Sequence, residues 1–135
     1  MVRETIRVRV NRSAAQAYEF LCLPENFPKW ASGLGASLRR EGTDWVVETA
    51  AGRATVRFSE PNSHGVLDHQ VILPGASPIY VPLRVVANGD TCDLVFTLFR
   101  RPETSDDKFA ADAEWVMRDL QAAKRLVESA PAGFT

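Results

Sequence analysis

The segment SDDKFAADAEWVMRDLQAAKRLVES, residues 105–129, decides the fold. Phe109, Ala113, Val116, Leu120, Ala123 and Val127 recur at alternating spacings of four and three, which draws one apolar stripe along a helix. Thr104 and Ser105 offer N-cap hydroxyls, and Asp106 and Asp107 put negative charge where the helix dipole favours it. Lys124 and Arg125 stand near the other end, and Pro131 and Gly133 stop any continuation. At a rise of ~1.5 Å per residue such a helix spans about 37 Å, enough to cross a small domain. Apart from one short helical region, the chain upstream reads as strands. A long amphipathic helix must therefore share a core with an antiparallel sheet. The reading is that the sheet wraps the helix and leaves a pocket between them.

Taken in order, Thr5 to Val10 sets Ile6, Val8 and Val10 against Arg7 and Arg9, the period of a half-buried strand. Ser13 then starts a helix over Ala14 to Leu23, with Gln16 completing a capping box and Ala17, Phe20 and Leu21 on the buried side. Pro24 ends it, and a second short turn or helix carries Phe27 and Trp30. Gly33 and Gly35, within Ser32 to Ser37, bend the chain back into sheet. A meander follows: Trp45–Thr49 closed by Ala51-Gly52, Ala54–Phe58 closed by Pro61-Asn62-Ser63, Val66–Leu73 closed by Pro74-Gly75, Ile79–Ala87, and Asp93–Arg100. Asn88-Gly89 is the strongest hairpin signal and reads as a type I′ turn. No internal repeat or low-complexity segment interrupts this order.

The 135 residues are expected to form one domain, 1–135, with a sizeable core and no staples. Sixteen basic and 17 acidic residues leave a net charge of −1, which gives no electrostatic case for nucleic acid or an anionic membrane. No apolar stretch reaches membrane-spanning length, and MVRETIRVRV is too charged for a signal peptide. Cys22 and Cys92 fit no metal spacing and read as two reduced thiols. A cytoplasmic protein is the expectation.

This order of elements resembles the START-like or SRPBCC superfamily, the helix-grip fold of polyketide cyclases and lipid-transfer domains. The local matches are Ser-Ala-Ala-Gln-Ala-Tyr-Glu-Phe-Leu at 13–21, Phe27-Pro28 with Trp30, Leu67-Asp68-His69 in a middle strand, and Asp119-Leu120 in the last helix. The resemblance covers essentially the whole chain. It implies an α+β fold with a curved antiparallel sheet of six to seven strands around the C-terminal helix. Two short helices follow strand one, and an apolar cavity opens near them. Its motifs are core and turn residues rather than a catalytic signature, so the chemistry has to come from the site.

Asp68 and His69 are the most suggestive pair. Neighbours on a strand point to opposite faces, so the two do not form an acid–imidazole dyad. His69 shares its face with Leu67 and Val71 and reads as directed inward, as a general base or a polar anchor. On the next strand Ile79, Val81, Leu83, Val85 and Ala87 form an apolar row facing the helix, which puts Tyr80 and Arg84 outside. In the reversed register Arg84 would need a carboxylate partner or an anionic ligand group. Trp30 reads as a gate at the cavity mouth by the resemblance, or as packing. Phe96, Val116, Met117 and Leu120 complete the candidate ligand-binding set with Trp30, His69, Tyr80 and Arg84. His64 reads as a solvated loop residue. Trp115 lies off the stripe and marks either a second buried edge or a homodimer face.

No Cys/His cluster stands at metal spacing, no G-x-S-x-G occurs, and Gly33-Leu34-Gly35 is not a dinucleotide fingerprint. No cofactor is expected. Three functions remain. The first is a carrier or sensor that binds a small hydrophobic or aromatic ligand. The second is a cyclase or dehydratase-type enzyme in which His69 transfers a proton and Arg84 or Tyr80 polarises a carbonyl. The third is a partner-binding module of co-chaperone or toxin type.

Overall fold

The computed structural model describes residues 3–31, 38–49 and 52–129. The glycine bend at 32–37, Ala51, and the stop signals Pro131 and Gly133 lie outside the described residues. β1 (Arg3–Val10) buries Ile6, Val8 and Val10 and exposes the arginines between them. α1 (Ala14–Leu21) starts at a capping box in which the Ser13 hydroxyl accepts from the Gln16 backbone N–H at 3.2 Å and Gln16 Oε1 accepts from the Ser13 N–H at 3.3 Å. The helix ends at Leu21, two residues earlier than the sequence pattern implies. Leu23 precedes Pro24 and is extended (φ −81°, ψ 117°), because a proline ring disfavours helical backbone in the residue before it. A 3₁₀ turn over Pro24–Asn26 leads into α2 (Phe27–Trp30). Buried Asn26 donates to the Phe20 carbonyl at 2.9 Å, tying that turn to α1.

Among the described residues there are eight strands, against the six or seven expected, and they are divided between two sheets. β2 (Arg39–Glu41), β3 (Asp44–Thr49), β4 (Gly52–Phe58), β5 (His69–Ile72) and β6 (Ile79–Val81) form one antiparallel sheet in that order. β7 (Leu83–Asn88) and β8 (Thr91–Phe99) join β1 in the second, ordered β1-β8-β7. The expected strand Ile79–Ala87 is split because Pro82 has no N–H to give a ladder. β6 pairs with β5 before Pro82, and β7 pairs with β8 after it. The chain thus changes sheets at the proline, whose carbonyl accepts from the Thr97 N–H at 3.1 Å. The expected strand Val66–Leu73 shortens for a related reason. Its first residues pair with β7 instead: Leu67 N–H donates to Leu83 O at 2.8 Å, and Val85 N–H to Gly65 O at 2.9 Å.

Alternation survives the switch: Val81, Leu83 and Val85 are all buried, while Tyr80, Arg84 and Val86 are exposed. In the β7–β8 hairpin Asn88 pairs with Thr91, so Gly89 and Asp90 form the turn. Only Gly89 has positive φ (63°), which corrects the type I′ reading, since that turn needs two such residues.

α3 (Asp106–Ser129) is capped by Ser105, whose hydroxyl accepts from the Lys108 N–H at 3.1 Å. Phe109, Leu120, Ala123 and Val127 are buried; Ala113 and Val116 are half-buried. The C-terminal half joins the main core with Ile6, Val8, Val10, Phe20, Leu83, Val85 and Leu94. Lys124 Nζ donates to the Arg9 carbonyl at 2.8 Å, and Glu128 accepts from the Asn11 N–H at 2.7 Å, which pins this half to the end of β1. A small second cluster of Val47, Ala54 and Val71 lines the five-stranded sheet.

Candidate ligand-binding site

Cross-strand register places His69 opposite Phe58 on one side and Val81 on the other, all on the concave face. Phe27 of α2 stands edge-on to this group, with ring centroids 5.1 Å from Phe58, 5.2 Å from His69 and 5.1 Å from Trp30. Around them is a recess of about 20 Å³ whose wall includes Leu21, Leu67 and Leu83. That is room for about one water molecule or one ligand oxygen. His69 is 6% exposed and Trp30 4%. His69 Nδ1 lies 3.1 Å from the Leu67 carbonyl oxygen. A carbonyl only accepts, so Nδ1 carries the proton, and in the neutral ring Nε2 is left as an acceptor. Burial pushes the His69 pKa below its usual value, which keeps the ring neutral. Trp30 Nε1 is buried and has no acceptor among the described residues. Cys22 also lines the recess, but burial pushes its thiol pKa up, the reverse of an activated nucleophile.

A larger cleft of about 370 Å³ opens between β6, β8 and the start of α3. Ile79, Val81, Phe96 and Leu98 supply its apolar wall, and Arg101, Thr104 and Asp112 its polar edge. Two cross-strand pairs join cleft to recess, Val81 with His69 and Phe96 with Leu83. Directly opposed residues on one face of a sheet stand with their Cβ atoms about 5 Å apart, so the walls of the two spaces are neighbours on the same face.

Arg84 and Tyr80 do not enter the recess. Asp68 turns to the convex side and collects them both: Arg84 donates from Nε and Nη2 at 2.8 Å each, the Tyr80 hydroxyl donates at 2.8 Å, and the Leu83 N–H at 2.9 Å. The bidentate Arg84 guanidinium is the main reason the Asp68 pKa falls to about 2. This corrects the enzyme reading in which His69 works with Arg84 or Tyr80, because the sheet stands between them. The buried carboxylate satisfied by a half-exposed arginine is a clamp across the Pro82 switch. Tyr80 reaches only the rim of the cleft, with its hydroxyl committed to Asp68.

Of the remaining candidates, Phe96 lines the cleft. Leu120 is wholly buried core, Val116 packs beside that core, and Met117 is exposed; none of the three lines the recess or the cleft. Trp115 is exposed, with the Arg118 guanidinium 5.7 Å from its ring centroid. His64 is exposed in its loop, as its neighbours imply.

Two organisers of the site escaped the sequence reading. Asn62 Oδ1 accepts from the His64 and Val66 N–H groups at 2.9 and 3.1 Å, its own N–H donates to the Tyr18 hydroxyl at 2.8 Å, and so it shapes the loop beside the recess. Gly65 (φ 73°) lies against the Val85 backbone. Their signal was the Pro-Asn-Ser…Gly turn composition, which marks a loop but not what it packs on.

Among the described residues no group of His, Cys, Asp or Glu is placed to hold a metal ion, and no helix is long and apolar enough to cross a membrane. No family model and no curated protein matches the chain. Solved structures do. A START superfamily protein from Mycobacterium smegmatis superposes with TM-score 0.71 at 14% identity, covering 95% of this chain and 98% of that one. The Zhui aromatase/cyclase from a Streptomyces species gives 0.68 at 17% identity, with 98% of each chain covered. The Aha1 dimer from Colwellia psychrerythraea gives 0.70 at 16% identity, covering 96% of this chain and 98% of that one. A curved antiparallel sheet gripping a long C-terminal helix, with two short helices after the first strand, is thus the START-like helix-grip fold, and this chain has it.

Proposed function

We propose that the protein binds a small hydrophobic or aromatic molecule between its sheets and α3, as a carrier or sensor. The observation that carries this reading is the cleft of about 370 Å³ beside α3, walled by Ile79, Val81, Phe96 and Leu98. Small-molecule sites fall at ~300–1,000 Å³ and are mostly apolar with a few polar groups, which describes this cleft. Ile79 and Phe99 at its mouth are unusually exposed for large apolar side chains, and a ligand body would cover them. The aromatase/cyclase among the structural neighbours is consistent with an aromatic ligand class. Trp115 favours a homodimer as the resting assembly, since an exposed tryptophan on a long helix is an economical contact surface.

Native mass spectrometry of the protein purified from its own host reads both points at once. The expected spectrum shows a dimer mass plus a bound organic molecule that is lost from an Ile79→Glu variant. A bare mass that stays bare when hydrophobic ligands are titrated in would remove the carrier reading. A monomer at all concentrations would remove the dimer.

A further inference from the structure

We propose that the recess at His69 and Trp30 selects a neutral hydroxyl on the ligand, and discriminates against a carboxylate at that position. The inference rests on the ligand-binding reading above and deepens it. The recess is walled by two side chains, Trp30 and His69, that carry hydrogen-bonding atoms of opposite kind. Trp30 Nε1 is a buried donor without an acceptor among the described residues. His69 Nε2 is an acceptor, fixed in that role because Nδ1–H is committed to the Leu67 carbonyl at 3.1 Å. A hydroxyl answers both, accepting from Trp30 and donating to His69. An ether or a ketone can only accept, so it answers one. A carboxylate presents acceptors to an acceptor and brings a charge to be desolvated.

The surroundings give that charge no help. Most of the remaining wall is apolar, with Phe27, Phe58, Leu21, Leu67 and Leu83 prominent, and its two hydroxyls are engaged elsewhere: Ser59 donates to the Asp68 carbonyl and Tyr18 accepts from the Asn62 N–H. The arginine on the adjoining strand, Arg84, is on the far side of the sheet and paired with Asp68. With about 20 Å³ available, one oxygen fits and a ring does not. The ring would lie in the adjoining cleft, against Val81 and Phe96, whose cross-strand partners His69 and Leu83 wall the recess.

Three matched probes test this: naphthalene, 2-naphthol and 2-naphthoate, titrated at pH 7 by equilibrium dialysis. Naphthalene binding reports the cleft alone. 2-Naphthol is expected to bind about tenfold tighter than naphthalene, the ratio that one to two ordinary neutral hydrogen bonds supply. 2-Naphthoate is expected to bind no tighter than naphthalene. Trp30→Phe, which keeps an aromatic ring and loses the donor, should bring the ratio of 2-naphthol to naphthalene affinity down to about one. In the unmutated protein the Trp30 indole proton should shift with 2-naphthol and not with naphthalene, a readout that does not depend on the variant folding. If naphthalene and 2-naphthol bind equally, or 2-naphthoate binds tightest, the hydroxyl selection is wrong and the cleft stands. If none of the three binds, both are wrong.

Discussion

Asp68 and His69 are neighbours in the chain that serve opposite sides of a sheet, one as a structural clamp and one as a buried acceptor. Their separation was legible from alternation alone. The identity of Asp68's partners was not, because Tyr80, Leu83 and Arg84 reach it only through a cross-strand register that passes a proline. An exposed arginine on a strand looks the same in sequence whether it meets solvent or a buried carboxylate. Gly65 poses the same problem more sharply. Its φ of 73° is disfavoured for any other residue, and a Cβ there would collide with the Val85 carbonyl oxygen. That oxygen belongs to backbone and cannot swing aside. Gly65→Ala is therefore expected to destabilise by about 1–3 kcal/mol, read as a lower urea midpoint. An unchanged midpoint would mean that the loop and β7 do not press together as tightly as the structure shows.

Elements defined by period were easier to read than elements defined by pairing. The stripe of α3 gave its length to within one residue, because every turn repeats the same information. In sequence the strands around Pro82 read as one, and Val66 to Asp68 as part of β5, because period-two alternation persists when a chain changes partners. β2, three exposed residues long, carries no burial pattern to find. The stripe runs the length of α3, but only its C-terminal half is sealed into the main core. Leu120 sits in that half without exposed surface. Leu120→Ala should cost about 2–5 kcal/mol, since the packed neighbours close only part of the void. A loss below 1 kcal/mol in thermal or urea unfolding would show that the helix can settle onto the sheet. That would make the α3 side of the site adjustable rather than fixed.

At the scale of the whole molecule, two sheets meet at one proline, and two buried ionisable groups stand on either side of that joint. Their pKa shifts give the fold a defined response to acid. His69 is held below its usual value by burial, while in the unfolded chain it protonates near pH 6.5. The unfolded state then binds more protons, so stability falls as pH drops below about 6.5. Asp68 is held down to about 2, chiefly by Arg84, against roughly 3.9 when unfolded. Its contribution is complete above pH ~4 and is lost between about 4 and 2. Glu128, whose pKa is lowered despite the opposing cost of burial by Lys124 and the Asn11 N–H, adds to the lower stage. Urea midpoints measured from pH 7 to pH 2 should therefore fall in two stages. His69→Phe should flatten the upper stage and leave the lower. Asp68→Asn should lower the midpoint already at pH 7, because it leaves Arg84 without its charge partner, and should shrink the fall between pH 4 and 2. If Asp68→Asn shows the same slope as the parent across that lower range, the clamp does not hold the two sheets together. The Pro82 joint would then owe its stability to the apolar row of Val81, Leu83 and Val85 alone.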